Sequence, residues 1–395
     1  MVPTTITPAI RTRAVLPILA MAVFFVGASE FMLAAMLTPL SVAFHADAVQ
    51  VSWLISSYAF AYACAAPFLG YLADRFNRSR LLLAGLLSFA IDGAGIAFAP
   101  TFEIAVALRF FGGLASAIII PTAFALVSEL FPRERHAAAM GVVMLGMTLG
   151  IALGPAVAGI LTTYAGWRAP FLLASFGCLL ALVIGMLTLQ WRQAAPAQRA
   201  RQGLRWLHDW RITRPLLAKG LWNGTGVAAF LLSGEVLRQR YHLSPEHVGL
   251  SVTAFGVGLG LGNLSAGTLR VRCGSEETAL VIVTALLAAA IAAFTLPGLP
   301  LPGALLCLAA WGAALGAGAP LATAVLANRS NQDKGMVLAC AETLNNVVIM
   351  AVVPAASIYI ARSQFAAATL IFVVGLSIGA SLVLYDARDA GFRRQ

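Results

Sequence analysis

Twelve apolar runs of about 20 residues, separated by short polar gaps, are the feature that most limits what this chain can fold into. They fall at roughly 15–38, 50–72, 81–99, 103–127, 138–161 and 168–190, then at roughly 216–237, 246–269, 277–296, 303–327, 336–360 and 365–385. A helix rising about 1.5 Å per residue needs that many residues to cross ~30 Å of hydrocarbon. Lipid satisfies no backbone polar group, so each run is expected as a helix. The expected fold class is therefore an all-α membrane protein with twelve transmembrane helices.

Composition agrees. Of the 395 residues, 60% are hydrophobic and only 11% are charged, too few to cover a soluble chain of this length. The net charge is +10, from 26 Lys and Arg against 16 Asp and Glu. These basic residues lie in the gaps between apolar runs, which fits the positive-inside rule better than a nucleic-acid surface. Twenty of them fall on the side of both termini and the middle loop, against four (Arg168, Arg238, Arg240 and Arg362) on the other. Both termini are thus expected in the cytoplasm. Arg11 and Arg13 precede an apolar stretch too long for a signal peptide, so it is read as a retained first span. Five cysteines are dispersed without a C-x-x-C pair, which argues against a disulfide framework or a zinc site.

The longest polar stretch, residues 191–215, divides the runs six and six. The expected domains are an N-terminal six-helix bundle (1–190), a cytoplasmic linker (191–215) and a C-terminal six-helix bundle (216–395). Within the linker, arginines alternate with Trp206 and Trp210, as in an amphipathic helix resting on anionic lipid. The halves also resemble one another. "GYLADRFN" from Gly70 and "GTLRVRCG" from Gly267 align at Gly70/Gly267, Leu72/Leu269 and Arg75/Arg272, each joining the second and third spans of its half. Duplicated halves place a substrate site at their interface near mid-membrane.

Three stretches carry a resemblance to a known family. "GYLADRFNRSR" (70–80) is similar to the G-x-L-a-D-R-x-G-R-k signature of the loop between spans two and three in the major facilitator superfamily, at Gly70, Leu72, Asp74, Arg75 and Arg78. Asn77 stands for the usual glycine and Ser79 for a basic residue. "ALRFFGGLASA" (107–117) resembles the fourth-span pattern R-x-x-q-G at Arg109 and Gly113, with Gly112 in place of the glutamine. "GMTLGIALGPAVAG" (146–159) resembles the fifth-span exporter signature at Gly146, Gly150, Gly154, Pro155 and Gly159. The chain thus resembles the twelve-helix drug:proton antiporter branch of that superfamily. The resemblance implies two pseudo-symmetric six-helix bundles and export from the inner membrane, with a monomer as the working unit. It also implies that Asp74, at the end of the second span, meets the N-terminus of the eleventh near Gly335 in a cytoplasmic latch.

The residues can be read without the family. Gly146, Gly150 and Gly154 recur every four positions, forming a bare strip that another backbone can approach closely. Gly256 and Gly260 begin a similar strip in the eighth span. A close contact between the fifth and eighth spans, with Pro155 bending the former, is one expectation; small-residue packing within one bundle is the other. Arg78 and Glu129 are expected near Asp74 and Arg75 in a cytoplasmic charge cluster. Ionisable residues within a span cost about 2.5 kcal/mol or more and therefore point to function. Glu30, Asp92 and Arg109 sit at a shared depth, roughly 9–12 Å below the outer surface. Glu30 is expected to carry the coupled proton and to pair with Arg109, with Asp92 nearby in a coupling or structural role. Asn223, Glu342, Asn345 and Asn346 are candidate substrate ligands together with Glu30, or helix–helix glue. Glu235 and Arg238, three apart, read as a local surface ion pair. Trp53, Tyr58, Phe60 and Tyr62 can line a cavity or serve as belt and core residues.

No catalytic or phosphate-binding pattern occurs, so neither an enzyme nor a nucleotide-driven pump is expected, and no cofactor or metal. The expected energy source is a proton gradient, and the expected partners are a small molecule, protons and the bilayer, with no nucleic acid. The best reading is a secondary transporter that exports a drug, sugar or related metabolite in exchange for protons. An importer and a non-transporting receptor or scaffold remain open alternatives.

Overall fold

The computed structural model describes residues 8–73, 77–189, 204–295, 297–330 and 333–392. Asp74 and Arg75 lie outside these, as do residues 191–203 of the middle loop. All secondary structure among the described residues is helical. The first half comprises α1 (Pro8–Phe31), α2 (Leu33–Phe44), α3 (Ala48–Ala73), α4 (Arg78–Ala97), α5 (Phe102–Leu130), α6 (His136–Ala165) and α7 (Arg168–Thr188). The second comprises α8 (Trp210–Tyr241), α9 (Pro245–Cys273), α10 (Glu276–Thr295), α11 (Leu301–Arg329), α12 (Lys334–Ala361) and α13 (Phe365–Phe392).

Ten of these helices are each long and apolar enough to cross a membrane. Two further spans complete the expected twelve, and each departs from the sequence reading. The first span is broken rather than continuous: α1 and α2 meet at Met32 with a bend of 54°. No proline sits at the break; the backbone tightens there through an i,i+3 bond from Ala35 N–H to the Met32 carbonyl. The bend carries Phe31 against Phe230 (centroids 5.7 Å), which stacks on Phe255 at 3.8 Å. The seventh span, α8, starts at Trp210 rather than near 216 and is more polar than the ten apolar helices. It is kept in the fold by burial: Arg214, Lys219 and Glu235 are all buried.

The linker does not form the expected amphipathic helix over its described part. Residues Leu204–His208 make a short 3₁₀ turn, and Trp206 is buried with Ile212, Leu216, Leu326, Val337 and Ala341. Trp206 therefore plugs the end of the second half instead of lying on lipid; Trp210, on the first turn of α8, is the exposed one.

Within the first half, α1 packs on α6, α3 on α5, and α4 on α5 and α7. Within the second, α8 packs on α12 and α13, α9 on α11, and α10 on α11 and α13. The halves meet through α3 with α12, α6 with α9, and α2 with α8 and α9. Gly146, Gly150 and Gly154 belong to the first set. A methyl on any of them would run into the α1 backbone, at Ala20, Phe24 and Ala28 respectively. The strip admits another backbone as expected, but within its own half; it is not the face of α6 turned to α9.

The face of α6 turned to α9 is built from Ala152, Pro155 and Gly159. Gly159 abuts the Pro245 carbonyl, Gly249 abuts the Pro155 carbonyl, and Gly256 abuts Ala152. The contact continues to Thr148, whose Oγ1 accepts from Asn263 Nδ2 at 3.4 Å. Towards the basic face, the one bearing Arg78, Arg135, Arg211 and Arg329, the flanking glycines Gly141, Gly267 and Gly335 have no such neighbour. The halves are thus in close contact at the opposite face.

Candidate functional site

Arg109 anchors a polar cluster at the inner side of the first half. It lies on α5 and is 1% exposed. Its Nη1 is 3.7 Å from Asp92 Oδ2 on α4, and Asp92 is equally buried. Nη1 also donates to Ser29 Oγ (3.5 Å), Nε donates to the Leu54 carbonyl (3.4 Å), and the guanidinium lies 4.5 Å over the Tyr58 ring. Asp92 is accommodated because residue 112 is glycine: a Cβ there would strike the Asp92 carboxylate. Gly113 similarly abuts the Tyr58 carbonyl, bringing α3 against α5.

The expected Glu30–Arg109 ion pair is therefore not formed; the guanidinium's carboxylate partner is Asp92. Glu30 lies two residues before the break at Met32 and is only partly buried. Among the described residues it has no ion-pair partner. Its carboxylate lies within electrostatic reach of Arg109 and of Glu342 in the other half. Tyr62 lies within reach of both carboxylates. Tyr58 and Tyr62 are buried core residues, while Trp53 and Phe60 are about half exposed.

The second half supplies a residue that the sequence reading passed over. Lys219 on α8, 4% exposed, donates to Glu342 Oε1 on α12 at 2.9 Å and to Thr323 Oγ1 on α11 at 3.3 Å. With α8 starting near 216, Lys219 would have lain at a helix end; with the true start it is buried nine residues in. One turn on, Asn223 Nδ2 donates to Asn345 Oδ1 at 2.7 Å, and Asn346 Nδ2 donates to its own helix at the Glu342 carbonyl, 3.0 Å. The asparagines therefore satisfy one another or their own backbone, joining α8 to α12. Glu342 keeps 44% of its side chain exposed.

At the basic face, Arg78 Nη1 is 3.5 Å from Glu129 Oε2 and 3.4 Å from the Ala125 carbonyl. Gly70 is in the last turn of α3. The second half carries a denser network that the sequence reading treated only as loop charge. Arg214 pairs with Asp386 through Nε (2.8 Å) and Nη2, and with Asp389 at 3.2 Å. Arg329 bridges Asp386 (2.8 Å) and Glu277 (2.9 Å). Four helices, α8, α10, α11 and α13, are tied by these groups.

At the opposite face, Glu235 is not a surface residue. It is 8% exposed and bonds Arg238 Nη2 (2.9 Å), Gln239 Nε2 (2.8 Å) and, across the halves, the Thr38 hydroxyl on α2. Gly234 beside it abuts the Ala34 carbonyl. A cavity of about 340 Å³ opens here, lined by Thr38, Thr162, Glu235 and Arg238 among apolar neighbours.

Comparison with known proteins accords with this architecture. The family model described as Major Facilitator Superfamily matches residues 19–236 and 220–394. The uncharacterized MFS-type transporter YceJ of Bacillus subtilis (strain 168) is 26% identical over 70% of this chain and 71% of its own. A chloramphenicol resistance protein of Streptomyces lividans is 29% identical over 64% of this chain and 65% of its own. The multidrug efflux pump LfrA of Mycolicibacterium smegmatis is 33% identical over 46% and 36%. In three dimensions, a bacterial homolog of the human lysosomal transporter Spinster, crystallised inward-facing and unoccupied, superposes with a TM-score of 0.75 at 15% identity, covering 96% of this chain and 97% of that one.

Proposed function

Because the chain belongs to the Major Facilitator Superfamily, a family of membrane transporters, we propose that it exports small molecules in exchange for protons by alternating access between its two six-helix halves. The relatives named for chloramphenicol resistance and multidrug efflux support the direction. The single observation that carries the coupling role is Glu30: a carboxylate within a membrane span, between the halves, with no ion-pair partner among the described residues. Arg109 has its ion pair with Asp92, so a proton can come and go at Glu30 without breaking one.

The close contact of α6 with α9, and of α2 with α8, supports a state closed at the face opposite the arginines. With both termini in the cytoplasm this is an inward-facing state, like that in which the Spinster homolog was crystallised. The site lies in the inner membrane on this reading. The test is transport by purified protein in proteoliposomes with an imposed proton gradient. Glu30→Gln is expected to abolish gradient-driven substrate movement while counterflow persists. Undiminished gradient-driven transport by this variant would remove Glu30 from the coupling role.

A further inference from the structure

We infer that the cavity of about 340 Å³ beside Thr38 and Glu235 is a binding site for a compact, uncharged alcohol, and that it can be filled only while the halves are closed at this face. The inference goes beyond the export reading above and needs neither a coupling ion nor a transported solute. The walls come from both halves: Thr38, Pro39 and Thr162 from α2 and α6, and Glu235, Leu243 and Val248 from α8, α9 and the turn between them. Two contacts bracket the cavity, the Thr38 hydroxyl on Glu235 and the approach of Gly159 to the Pro245 carbonyl. Parting the halves at these contacts pulls the walls apart, so a ligand held there binds the closed form alone.

The wall chemistry sets the class of ligand. Ala34, Leu37, Val42, Leu243 and Val248 make the wall mainly aliphatic. Its two charged groups cancel: Arg238 Nη2 lies 2.9 Å from Glu235 Oε1, and the carboxylate also accepts from Arg238 Nε, Gln239 Nε2 and the Thr38 hydroxyl. A charged ligand would lose its hydration and find no opposite charge left over to meet. Two uncharged polar groups can receive a ligand. Thr162 Oγ1 is buried and has no hydrogen-bond partner among the described residues. Pro39 has no N–H to give the Ala35 carbonyl one turn before it, and both residues line the cavity. A single hydroxyl on an aliphatic body suits this pair, since it can donate to either oxygen and accept from Thr162. The smaller cavity across the Thr38–Glu235 bond, about 200 Å³, lacks this feature. Its Ser41 and Ser357 hydroxyls donate to the Ala46 and Pro354 carbonyls, and Gln239 is held by Glu235 and Ser363. At about 30 Å³ per water-sized group, the larger cavity has room for roughly a dozen non-hydrogen atoms.

The test is saturable binding of radiolabelled 1-adamantanol, an alcohol of about this size, to the full-length protein in lipid nanodiscs. The competitors 1-adamantylammonium and adamantane-1-carboxylate carry the same body with opposite charges. The alcohol is expected to bind saturably, and each ion to compete at least about ten-fold more weakly. Thr162→Val keeps the shape, removes the hydroxyl and should weaken binding about two- to ten-fold. Gly159→Leu leaves the cavity wall unchanged but collides with the Pro245 carbonyl in the closed form. It should weaken binding at least about three-fold, through the population of the closed form alone. Should it fail to fold, Gly249→Leu, which meets the Pro155 carbonyl in the same seam, takes its place. Saturating alcohol should also slow gradient-driven transport, because it holds one state. Absence of saturable binding, an ion that competes as well as the alcohol, or unchanged binding in Thr162→Val overturns the site. Unchanged binding in the folded seam variant, or transport that saturating alcohol does not slow, overturns its restriction to the closed form. Wild type that binds the alcohol but shows no gradient-driven transport would instead count against the export reading and leave this inference standing.

Discussion

The carboxylate of Asp92 occupies the space that the missing side chain of Gly112 leaves open beside α5. That relationship explains why residue 112 departs from the glutamine of the family pattern: the acid on α4 and the glycine on α5 form one unit, with Arg109 as its third member. Gly112→Ala should overpack the site, lowering stability by about 1–3 kcal/mol. Combining Gly112→Gln with Asp92→Gly should recover more stability than either single variant predicts. A double-mutant cycle of thermal transitions in detergent measures the difference, and strict additivity would show that the two positions do not share the space.

Glu30 and Asp92 separate in the same assay. Asp92→Asn leaves a buried guanidinium without its carboxylate and should cost about 3–5 kcal/mol, seen as a lower thermal transition and poor yield. Glu30→Gln breaks no ion pair, so its thermal transition should stay near that of wild type while gradient-driven transport is lost.

Much of this was legible in the sequence, and the part that was not has a physical cause. Span positions follow from hydrophobic length alone, and the Arg78–Glu129 pair follows from two helix ends being drawn to one face. What a period cannot say is which neighbour a helical stripe meets. The strip at Gly146, Gly150 and Gly154 has the spacing for close approach, yet rotation of α6 turns it to α1 and leaves Ala152, Pro155 and Gly159 for α9. Lys219 was hidden because polar residues at the start of α8 look like loop; only the burial of Arg214 in an ion network pulls that turn into the bundle. The break at Met32 has no proline to announce it, and a shared depth for Glu30, Asp92 and Arg109 does not say which carboxylate the guanidinium meets.

The ion network of the second half should act as a rigid clamp. Arg214→Ala leaves Asp386 with Arg329 as its one ion-pair partner among the described residues and should lower stability by about 3–5 kcal/mol, with a parallel fall in folded yield. Arg329→Lys cannot bridge Asp386 and Glu277 with a planar fork and should lose part of the same stability. Both variants, where folded, should keep gradient-driven transport per folded molecule, because neither residue touches Glu30; a loss beyond the fall in folded yield would argue against a purely structural clamp.

The glycines of α6 should divide by the neighbour they meet. Gly150→Leu collides with α1 inside one half, so it should reduce folded yield whatever state the transporter adopts. Gly159→Leu collides with the Pro245 carbonyl only while the halves are closed at the face opposite the arginines. It should fold, and should shift the population towards opening at that face. Labelling of a cysteine placed at Thr162, which lines the cavity there, should then speed up in Gly159→Leu and not in folded Gly150→Leu. Equal labelling in both would mean the α6–α9 contact does not control that face.

Thr38 and Glu235 make the polar part of the same closure. The Thr38 hydroxyl reaches from α2 to a carboxylate that Arg238 and Gln239 hold in place from α8. Thr38→Val keeps the shape and removes a bond to a carboxylate, worth about 1.5–3 kcal/mol net. That amounts to a shift of about ten-fold or more in the balance between closed and open forms. Glu235 retains Arg238 and Gln239 in this variant, so no buried charge is stranded and the fold should survive. The expected result is faster labelling of the Thr162 cysteine with an unchanged thermal transition. A fall in thermal transition with no change in labelling would mean that the bond serves the fold and not the gate.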